Sequence, residues 1–441
     1  MAFCTEIPIQ TIAGTECIGD SLPKINANFK TLGEKLCVAL SEVVSLSSSP
    51  AAMVSSPTID ISLPSADSNK VRADLKLESV NFQHLAFEGG PLTYRNKLIN
   101  GEMMISQRYG TVPVTIDSPT PVYSVDRWYG YADHGYVGTG TFTLEQSGGE
   151  RGSYSLRAKV ITPETVVGIG DSFGIAQKVE GYHIRDFAWG TTDALSACLS
   201  FWVKTNLGGK YGGSVRNAAG TRSFAFQYET NTTSWERKVV VIPGDTKEDV
   251  VWNLDHNTGL IVNFSLGDAA ANLGPIEEWA TGNFKGCLGQ DHPILRQGAI
   301  VSIAGVQLEL GNTSTPFETR SYDVELNACK RYYEKSYLAT TPPGTVTSQN
   351  AYIYEPLAIG GSIDNYIVAP FTVEKRATPG TIACYSPTTG NKNVIAGSSD
   401  IATTPSSKTS TKFVAFQPTN PATSLTLGFD YLYHWAVDAE L

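Results

Sequence analysis

Short runs of alternating apolar and polar residues constrain this chain more than any other feature. Between Tyr94 and Tyr322 they recur with turn-forming residues between them and no helical pattern among them. A period of two is typical of strands that bury one face. The candidate strands are Val112–Ile116, Gly138–Gln146, Ser155–Val160, Ala197–Lys204, Ser223–Tyr228, Lys238–Ile242 and Ile261–Leu266. So many strands without intervening helices predict an antiparallel β-sandwich, jelly-roll-like in form.

The clearest helical pattern lies near the start of the chain, between Asp20 and Leu46. Asp20 or Ser21 caps this helix, and Pro23 lies in the first turn, where its missing N–H costs nothing. Apolar residues follow in alternating steps of three and four, a heptad pattern over about 3.5 repeats. They are Leu22, Ile25, Phe29, Leu32, Leu36, Ala39, Val43 and Leu46. Because the flanking segments offer no core, we expect an oligomerising coiled coil rather than a helix packed on its own chain.

A closing strand and a short helix mark the end of the sandwich. Apolar and polar residues alternate in Gly305–Leu310, and Ser321 is a plausible N-cap for a helix over residues 321–337. The helical stripe consists of Tyr322, Leu326, Cys329, Tyr333 and Tyr337. Beyond it, alternating runs return, and they predict a smaller C-terminal β-sandwich. These runs are Ala351–Ile359, Ser362–Pro370, Thr381–Tyr385, Lys412–Phe416, Ser424–Phe429 and Tyr431–Ala436, with a Ser/Thr-rich loop at Gly397–Ser410.

The fold class expected is therefore mainly β, in six segments. Residues 1–20 form an arm, residues 21–46 the oligomerising helix, and residues 47–93 a linker and neck. Residues 94–320 form the central sandwich, residues 321–337 a connecting helix, and residues 338–441 a C-terminal β domain. In the linker, Thr58–Leu63 is compatible with a short strand, and Val71–Leu77 with Val80–Phe87 with a small hairpin.

Three of these stretches resemble a known family. The segment 305–337 contains GVQLELG, TPFE and RYYEKSY, and it resembles the closing segment of a β-sandwich in tailed-bacteriophage tail-fibre and appendage proteins. Asn96–Arg108 with Tyr123–Trp128 resembles its opening, and Thr258–Gly267 is a third match in the same order. The resemblance implies a homotrimer, and it implies a sandwich like those of carbohydrate-binding modules. Such a likeness of fold does not establish sugar binding.

Composition excludes several function classes. The net charge is −10 with 17% charged residues, and no run of Lys or Arg exceeds a pair, which argues against nucleic acid as the main partner. The seven cysteines are scattered and include no C-x-x-C, so we expect buried free thiols rather than disulfides or zinc. The first residues have no signal-peptide pattern, and no apolar run approaches about 18 residues, so membrane insertion is not expected.

No motif indicates catalysis, a cofactor or a metal. Asp245, Glu248 and Asp249 lie near Asp255 and His256 across a predicted strand. A calcium or acid/base role is conceivable for this group, but a solvated loop is favoured. Glu277 and Glu278 are adjacent to each other, so on a strand they would point to opposite faces and could not flank one bond. The chain is therefore expected not to be an enzyme.

Aromatic residues are the candidates for sugar contacts, since sugar rings stack on aromatic faces. Trp202 and Trp252 lie in apolar runs and are predicted to be core. Four others lie near Gly, Asn or Thr and are candidates for exposure, namely Trp128, Trp189, Trp235 and Trp279. In the C-terminal domain the candidates for receptor contact are Tyr352, Tyr354, Tyr366 and Tyr385.

The expected protein is a homotrimeric tail fibre or tail-attached appendage, made in the host cytoplasm and incorporated into the virion. Its arm would bind other tail proteins, and its C-terminal domain would bind a host surface glycan. Two alternatives remain. One is a purely structural virion component such as a capsid fibre, cement protein or tail adaptor. The other is a tailspike polysaccharide depolymerase, which would need β-helix repeats that the sequence does not display.

Overall fold

The computed structural model describes residues 94–135, 138–231, 233–356, 366–419 and 426–441, with the backbone of residues 59–62, 72–75, 358–359 and 362–363. The chain forms two compact units, residues 1–83 and residues 84–441. The predicted arm and the oligomerising helix, with all eight of its heptad residues, lie outside the described residues.

In the first unit the described residues form an antiparallel strand pair. Strand β1 (Ile59–Ser62) pairs with β2 (Arg72–Leu75), with Ile59 opposite Leu75. Both strands fall where the sequence predicts extended segments within residues 47–93, and they pair with each other.

The second unit begins with a two-sheet sandwich. Its strands are β3 (Val114–Ile116), β4 (Val122–Tyr123), β5 (Trp128–His134), β6 (Thr141–Gly148), β7 (Tyr154–Thr162), β8 (Asp171–Glu180), β9 (Ala197–Thr205), β10 (Gly209–Asn217), β11 (Arg222–Thr230), β12 (Glu236–Ile242), β13 (Thr258–Asp268), β14 (Leu273–Gly274), β15 (Glu278–Thr281), β16 (Gly286–Cys287) and β17 (Ile300–Leu310). Short 3-10 helices span Glu150–Gly152, Gly181–Phe187, Ala270–Asn272 and Pro293–Leu295.

The two sheets are antiparallel throughout, which confirms the predicted sandwich. The seven-stranded sheet has the order β15-β11-β10-β13-β8-β5-β4, and the six-stranded sheet has the order β12-β9-β17-β7-β6-β3. The small pair β14 and β16 is parallel. Because neighbours in each sheet are mostly distant in sequence, the sandwich is closed by long-range pairing.

Alternation along each strand decides what the sandwich buries. In β13, Leu260, Val262, Phe264 and Leu266 belong to the core between the sheets. Ile261 faces the other side, where it joins a smaller apolar cluster with tyrosines of β4 and β5. The central strands therefore bury apolar residues on both faces, the inner ones against the second sheet and the outer ones within this smaller cluster.

A single helix connects the sandwich to the C-terminal sheet in the described residues after Tyr94. Helix α1 spans Tyr322–Lys330, and Tyr333–Lys335 form strand β18. The predicted helix over residues 321–337 is therefore too long. Its stripe beyond Cys329 fails because Tyr333 pairs with Asp438 in a β ladder, and these ladder contacts override the helical spacing.

The C-terminal sheet is organised around its last strand. After β18 come β19 (Tyr352–Tyr354), β20 (Ala358–Ile359), β21 (Ser362–Ile363), β22 (Ile367–Pro370), β23 (Thr381–Tyr385), β24 (Val394–Ala396), β25 (Asp400–Pro405), β26 (Phe413–Pro418) and β27 (Tyr431–Asp438). Strand β27 pairs with β18, β19, β23 and β24. Strand β25 lies where a Ser/Thr-rich loop was expected, and residues 426–429 are not a strand.

Buried ion pairs join the sandwich to this sheet. The Arg331 guanidinium donates to both oxygens of Glu180, at 2.9 and 2.6 Å, and the Tyr332 hydroxyl donates to the same carboxylate at 2.7 Å. Arg127 is fully buried, lies 3.5 Å from the ring centroid of Tyr332, and pairs with Glu440. The junction therefore fixes α1 and the end of the chain on the sandwich.

Candidate functional site

The four tyrosines proposed for receptor contact occupy different parts of the C-terminal sheet. Tyr352 and Tyr354 lie on β19, Tyr366 precedes β22, and Tyr385 ends β23; all four are half-buried. The Lys408 ammonium lies 3.9 Å from the ring centroid of Tyr366. The structure therefore does not bring the four together as one site, and Tyr352 is the member that lines a large cleft.

This cleft has a volume of about 690 Å³ and opens where α1 and β18 meet β19 and β27. Its apolar walls come from both sides of that junction. They are formed by Leu326, Tyr337, Leu338, Tyr352, Ile353 and Trp435. Neutral polar groups are added by Ser336, Asn350 and Thr372. A concave site with aromatic walls and few polar groups is the usual form of a small-molecule site.

Packing against β27 fixes the aromatic wall. Tyr352 pairs with Tyr433 across the ladder, and its ring lies 5.7 Å from the Tyr433 ring and 6.1 Å from Trp435. Trp435 is itself buried and lies 5.5 Å from Phe371. Tyr352 is thus held by the core on one side and lines the cleft on the other, which preorganises it for contact with a ligand.

The cleft rim is apolar and exposed. Ile353 alternates with Tyr352 along β19, so it points away from the core and is 64% exposed. Leu338, which also lines the cleft, is 42% exposed. Each of these side chains, like the Tyr352 ring, contributes apolar surface to the cleft lining, which suits a ligand that has both C–H faces and hydroxyl groups.

The charged residues in the cleft wall make hydrogen bonds within the protein, and Lys330 among them donates to the Thr372 hydroxyl at 3.3 Å. The Lys375 ammonium donates to the Glu334 carboxylate at 2.5 Å, and that carboxylate also accepts the Thr372 amide N–H at 2.9 Å. Lys335 donates to the carbonyl oxygens of Ala339 and Thr341, and burial lowers its pKa to about 7. The cleft therefore offers a ligand mainly neutral hydrogen-bonding groups.

The segment that carries Asn350 is anchored next to the cleft. The His434 ring stacks on Tyr337 with centroids 3.8 Å apart, and its Nε2 lies 3.0 Å from the Thr347 carbonyl oxygen. Burial lowers the pKa of His434, so the imidazole is neutral near pH 7. These contacts hold residues 338–351 against the sheet. Tyr385 packs on the far side, 6.1 Å from Tyr337.

The carboxylates considered for chemistry do not form an acid/base pair. Asp245 is buried, and its Oδ1 accepts from Arg222 NH2 at 2.8 Å while its Oδ2 accepts from Trp252 Nε1 at 3.1 Å. It is a structural ion pair inside the sandwich. Glu277 and Glu278 are adjacent and exposed. No group of three or more His, Cys, Asp or Glu side chains suited to a metal occurs in the part of the chain with described positions.

Local composition was a poor guide to the tryptophans. Trp128 and Trp189 were candidates for exposure, but both are buried in the core, and Trp128 shares its inward face with Ala132 of β5. Trp202 was expected in the core and is only half-buried. Trp252 is buried as predicted, and Trp235 and Trp279 are half-buried.

Sequence reasoning missed Trp435, Tyr337 and Ile353 as cleft residues. The alternation of Tyr431, Tyr433, Trp435 and Val437 was available and would have placed Trp435 on the inward face of β27. The position of Tyr337 was not available, because it depends on where α1 stops.

Within the described residues no helix is both long and apolar enough to cross a membrane.

Comparisons with known proteins give fold neighbours only. No family model matches the chain, and no curated protein matches it. Among solved structures, TmCBM61 in complex with β-1,4-galactotriose is 15% identical with a TM-score of 0.24, covering 49% of this chain and 99% of that one. A CBM4 structure is 12% identical with a TM-score of 0.25, covering 47% and 100%. The family 11 carbohydrate-binding module of cellulosomal cellulase Lic26A-Cel5E of Clostridium thermocellum is 12% identical with a TM-score of 0.22, covering 47% and 99%. The chain is thus similar to carbohydrate-binding-module β-sandwiches.

Proposed function

We propose that this protein is a non-enzymatic structural protein of a bacteriophage virion, a homotrimeric tail fibre or tail-attached appendage that binds a host surface polysaccharide. The proposed binding site is the C-terminal cleft lined by Tyr352 and Trp435. The protein would be made in the host cytoplasm and carried on the outside of the virion.

The observation that carries the binding proposal is the chemistry of the cleft. An aromatic ring fixed by the core, an exposed aliphatic rim and neutral amide and hydroxyl groups suit a neutral sugar, whose C–H faces pack on rings while its hydroxyls exchange hydrogen bonds. Of the charged residues that line the cleft, Glu334 is paired with Lys375, and Lys330 and Lys335 donate to neutral oxygens of the protein.

The virion role rests on the resemblance of residues 94–337 and on the heptad pattern of residues 21–46. Three joined copies would present three clefts, and a second cleft would bind at high effective concentration once the first has bound. Three individually weak contacts would then bind the cell surface with high avidity. This is the reason for favouring an adhesive appendage over a purely structural virion component.

Binding to purified polysaccharides from bacterial surfaces, measured by calorimetry with the full-length protein, tests the site. Tyr352→Ala removes the aromatic wall and is expected to weaken binding about tenfold, since one such ring contributes about 1 kcal/mol or more. Tyr352→Phe keeps the ring and is expected to retain most of the affinity.

Tyr154→Ala is the matched control, because Tyr154 is exposed on β7 and lies outside the cleft. Ile353→Ser supplies a second test with little risk to folding, since that side chain is largely exposed. Equal binding by Tyr352→Ala, Ile353→Ser and Tyr154→Ala would reject the cleft. Release of shortened sugar chains during the measurement would instead identify a depolymerase.

A further inference from the structure

A group of cations lies on the outer face of the seven-stranded sheet, away from the C-terminal cleft. In the ladder, Arg216 of β10 is opposite Ile261 of β13, and Ile261 is opposite Lys178 of β8, so the three residues form one row across three strands. The Arg216 guanidinium has no carboxylate partner among the described residues; its Nη1 donates to the Asn283 side-chain oxygen at 2.8 Å. Lys285 follows β15 and extends over the same face.

Tyrosine rings form the floor beneath the two lysines. The Lys178 ammonium lies 5.7 Å from the ring centroid of Tyr129, and the Lys285 ammonium lies 5.1 Å from that of Tyr131. The two rings are 6.2 Å apart. Each lysine is half-buried, so its ammonium is positioned by a cation–π contact while part of it stays accessible.

These cations gather on one face of a chain whose net charge is −10. Several other buried or half-buried cations have carboxylate partners, as in the pairs of Arg222 with Asp245, Arg331 with Glu180 and Lys375 with Glu334. Among the described residues, none of Lys178, Arg216 and Lys285 forms an ion pair with a carboxylate side chain. Arg216 is only 8% exposed, and its Nε has no hydrogen-bond partner.

The anionic groups near this face do not neutralise it. Asp268 is buried and accepts hydrogen bonds from the hydroxyls of Ser172 and Ser265. Asp133 and Asp268 raise the pKa of Lys285, but burial and Arg216 lower it, with a net decrease. Burial together with Arg127, Arg216 and Arg376 lowers the pKa of Lys178, which donates to the Leu441 carbonyl oxygen. Burial is the largest cause of both decreases in pKa. Because Arg216 and Lys178 share one row of the sheet with a single residue between them, a bound anion would reduce the repulsion between them.

We propose that this face of the sandwich binds the anionic group of an acidic sugar residue through Lys178, Arg216 and Lys285. The ligand class is a glycan that carries carboxylate groups. The proposal rests on the proposed glycan-binding function, but it concerns a separate surface and adds selectivity for charge.

The test compares two ligands that differ in charge alone. Trigalacturonate and its methyl ester share rings and linkages, and only the first is anionic. Calorimetry with the full-length protein is expected to show binding of trigalacturonate that weakens as salt is raised, with binding of the ester at least about tenfold weaker. Equal affinity for the two ligands would overturn the proposal.

Variants locate the site. Lys285→Gln and Arg216→Gln are each expected to reduce the affinity for trigalacturonate about tenfold. Lys204→Gln makes the same change of charge at an exposed position on β9 of the other sheet and is expected to have no effect. Because Arg216 is buried, the affinity of Arg216→Gln is interpreted only if the variant unfolds at the same temperature as the wild type. If it does not, Lys178→Gln, at a half-buried position, is measured in its place. Wild-type affinity in both lysine variants would overturn the assignment.

Two further measurements distinguish binding of an acidic sugar at this face from binding of any small anion and from binding in the C-terminal cleft. Displacement of trigalacturonate by an equal concentration of sodium sulfate would identify a site for any small anion and reject the sugar. Tyr352→Ala is expected to leave trigalacturonate binding unchanged. Tyr352→Ala could leave binding of neutral polysaccharide unchanged while Lys285→Gln abolishes binding of the acidic one. That result would reject the proposed site in the cleft and support the proposed site on this face.

Discussion

At the residue scale, the buried carboxyl of Asp268 gives the clearest pH dependence. Burial raises its pKa from 3.8 to about 6, against the opposing effects of two serine hydroxyls and of Lys285 and Arg216. The folded state therefore holds this proton more tightly than the unfolded state. Between about pH 4 and pH 6 the folded state binds more protons, so this group's contribution to stability falls as pH rises and then stays constant above pH 6.

Asp268→Asn removes this ionisation while keeping a side chain of the same size. We compare the unfolding free energy of the variant with that of the wild type at each pH. This difference is expected to be about 1 to 3 kcal/mol more favourable to the variant at pH 8 than at pH 4. Urea unfolding at the two pH values measures it, and Asp255→Asn, at an exposed carboxylate, serves as the control. A difference between variant and wild type that does not change with pH would contradict the prediction.

Single residues also explain how far the sequence could predict the site. Tyr352 was chosen as an aromatic residue in the C-terminal domain, and it lines the cleft. Tyr366 and Tyr385 were chosen on the same grounds and do not, because composition near a residue says nothing about which elements pack beside it. Trp128 was misplaced for a related reason: neighbouring glycines suggested exposure, while the alternation of β5 placed the ring in the core.

At the element scale, β17 illustrates why the sandwich was predictable and its strand bounds were not. The sequence predicts a strand over Gly305–Leu310 with Val306 and Leu308 facing one way, and both are buried. The strand begins earlier, at Ile300, and there Val301 and Ile303 face the core. An extra residue between Ala304 and Gln307 forms a bulge that shifts the alternation by one residue. The first half of β17 therefore does not continue the period-two pattern of Gly305–Leu310, and the pattern alone does not reveal it.

Gly305 makes this bulge. Its φ is +53°, and a Cβ at this position would lie 3.2 Å from Cδ1 of Trp202. Gly305→Ala is therefore expected to cost about 1 to 2 kcal/mol in unfolding free energy, measured by urea titration. Gly380→Ala is the control, because Gly380 has open space around it and no positive φ. Equal stability of the two variants would show that the bulge tolerates a side chain.

At the scale of the whole molecule, the junction between sandwich and C-terminal sheet could not be predicted from sequence. Glu180 and Arg331 are far apart in the chain, and the sequence pattern says nothing about their pairing. Because the Glu180 carboxylate is buried within this ion pair, we expect the two β assemblies of residues 84–441 to unfold together. The cleft lies at this junction, so its shape depends on the same contacts.

Glu180→Gln tests this coupling by calorimetric scanning of the full-length protein. The Glu180 carboxylate is buried and Arg331 is 31% exposed, so the variant leaves a half-buried guanidinium without its counter-ion. A loss of about 1 to 3 kcal/mol is expected, with one unfolding transition of residues 84–441 dividing into two. Glu145→Gln is the control, since Glu145 and Arg157 pair within one sheet of the sandwich and do not join the two assemblies, and such exposed pairs contribute about 1 kcal/mol or less. Two transitions already present in the wild type would contradict the expected coupling.

The trimer is the largest-scale proposal, and it rests on the heptad residues near the start of the chain. Leu32→Asp with Leu36→Asp places charge within the proposed apolar seam, so sedimentation is expected to change from a trimer to a single 47.4 kDa chain. Lys35→Asp also adds negative charge but lies off the seam, and it is expected to leave the trimer intact. Since separated chains lose the high effective concentration of linked clefts, adhesion to whole cells is expected to fall at least about a hundredfold. Binding of one short sugar per cleft is expected to stay unchanged, and a loss of that binding would show that the helix shapes the cleft itself.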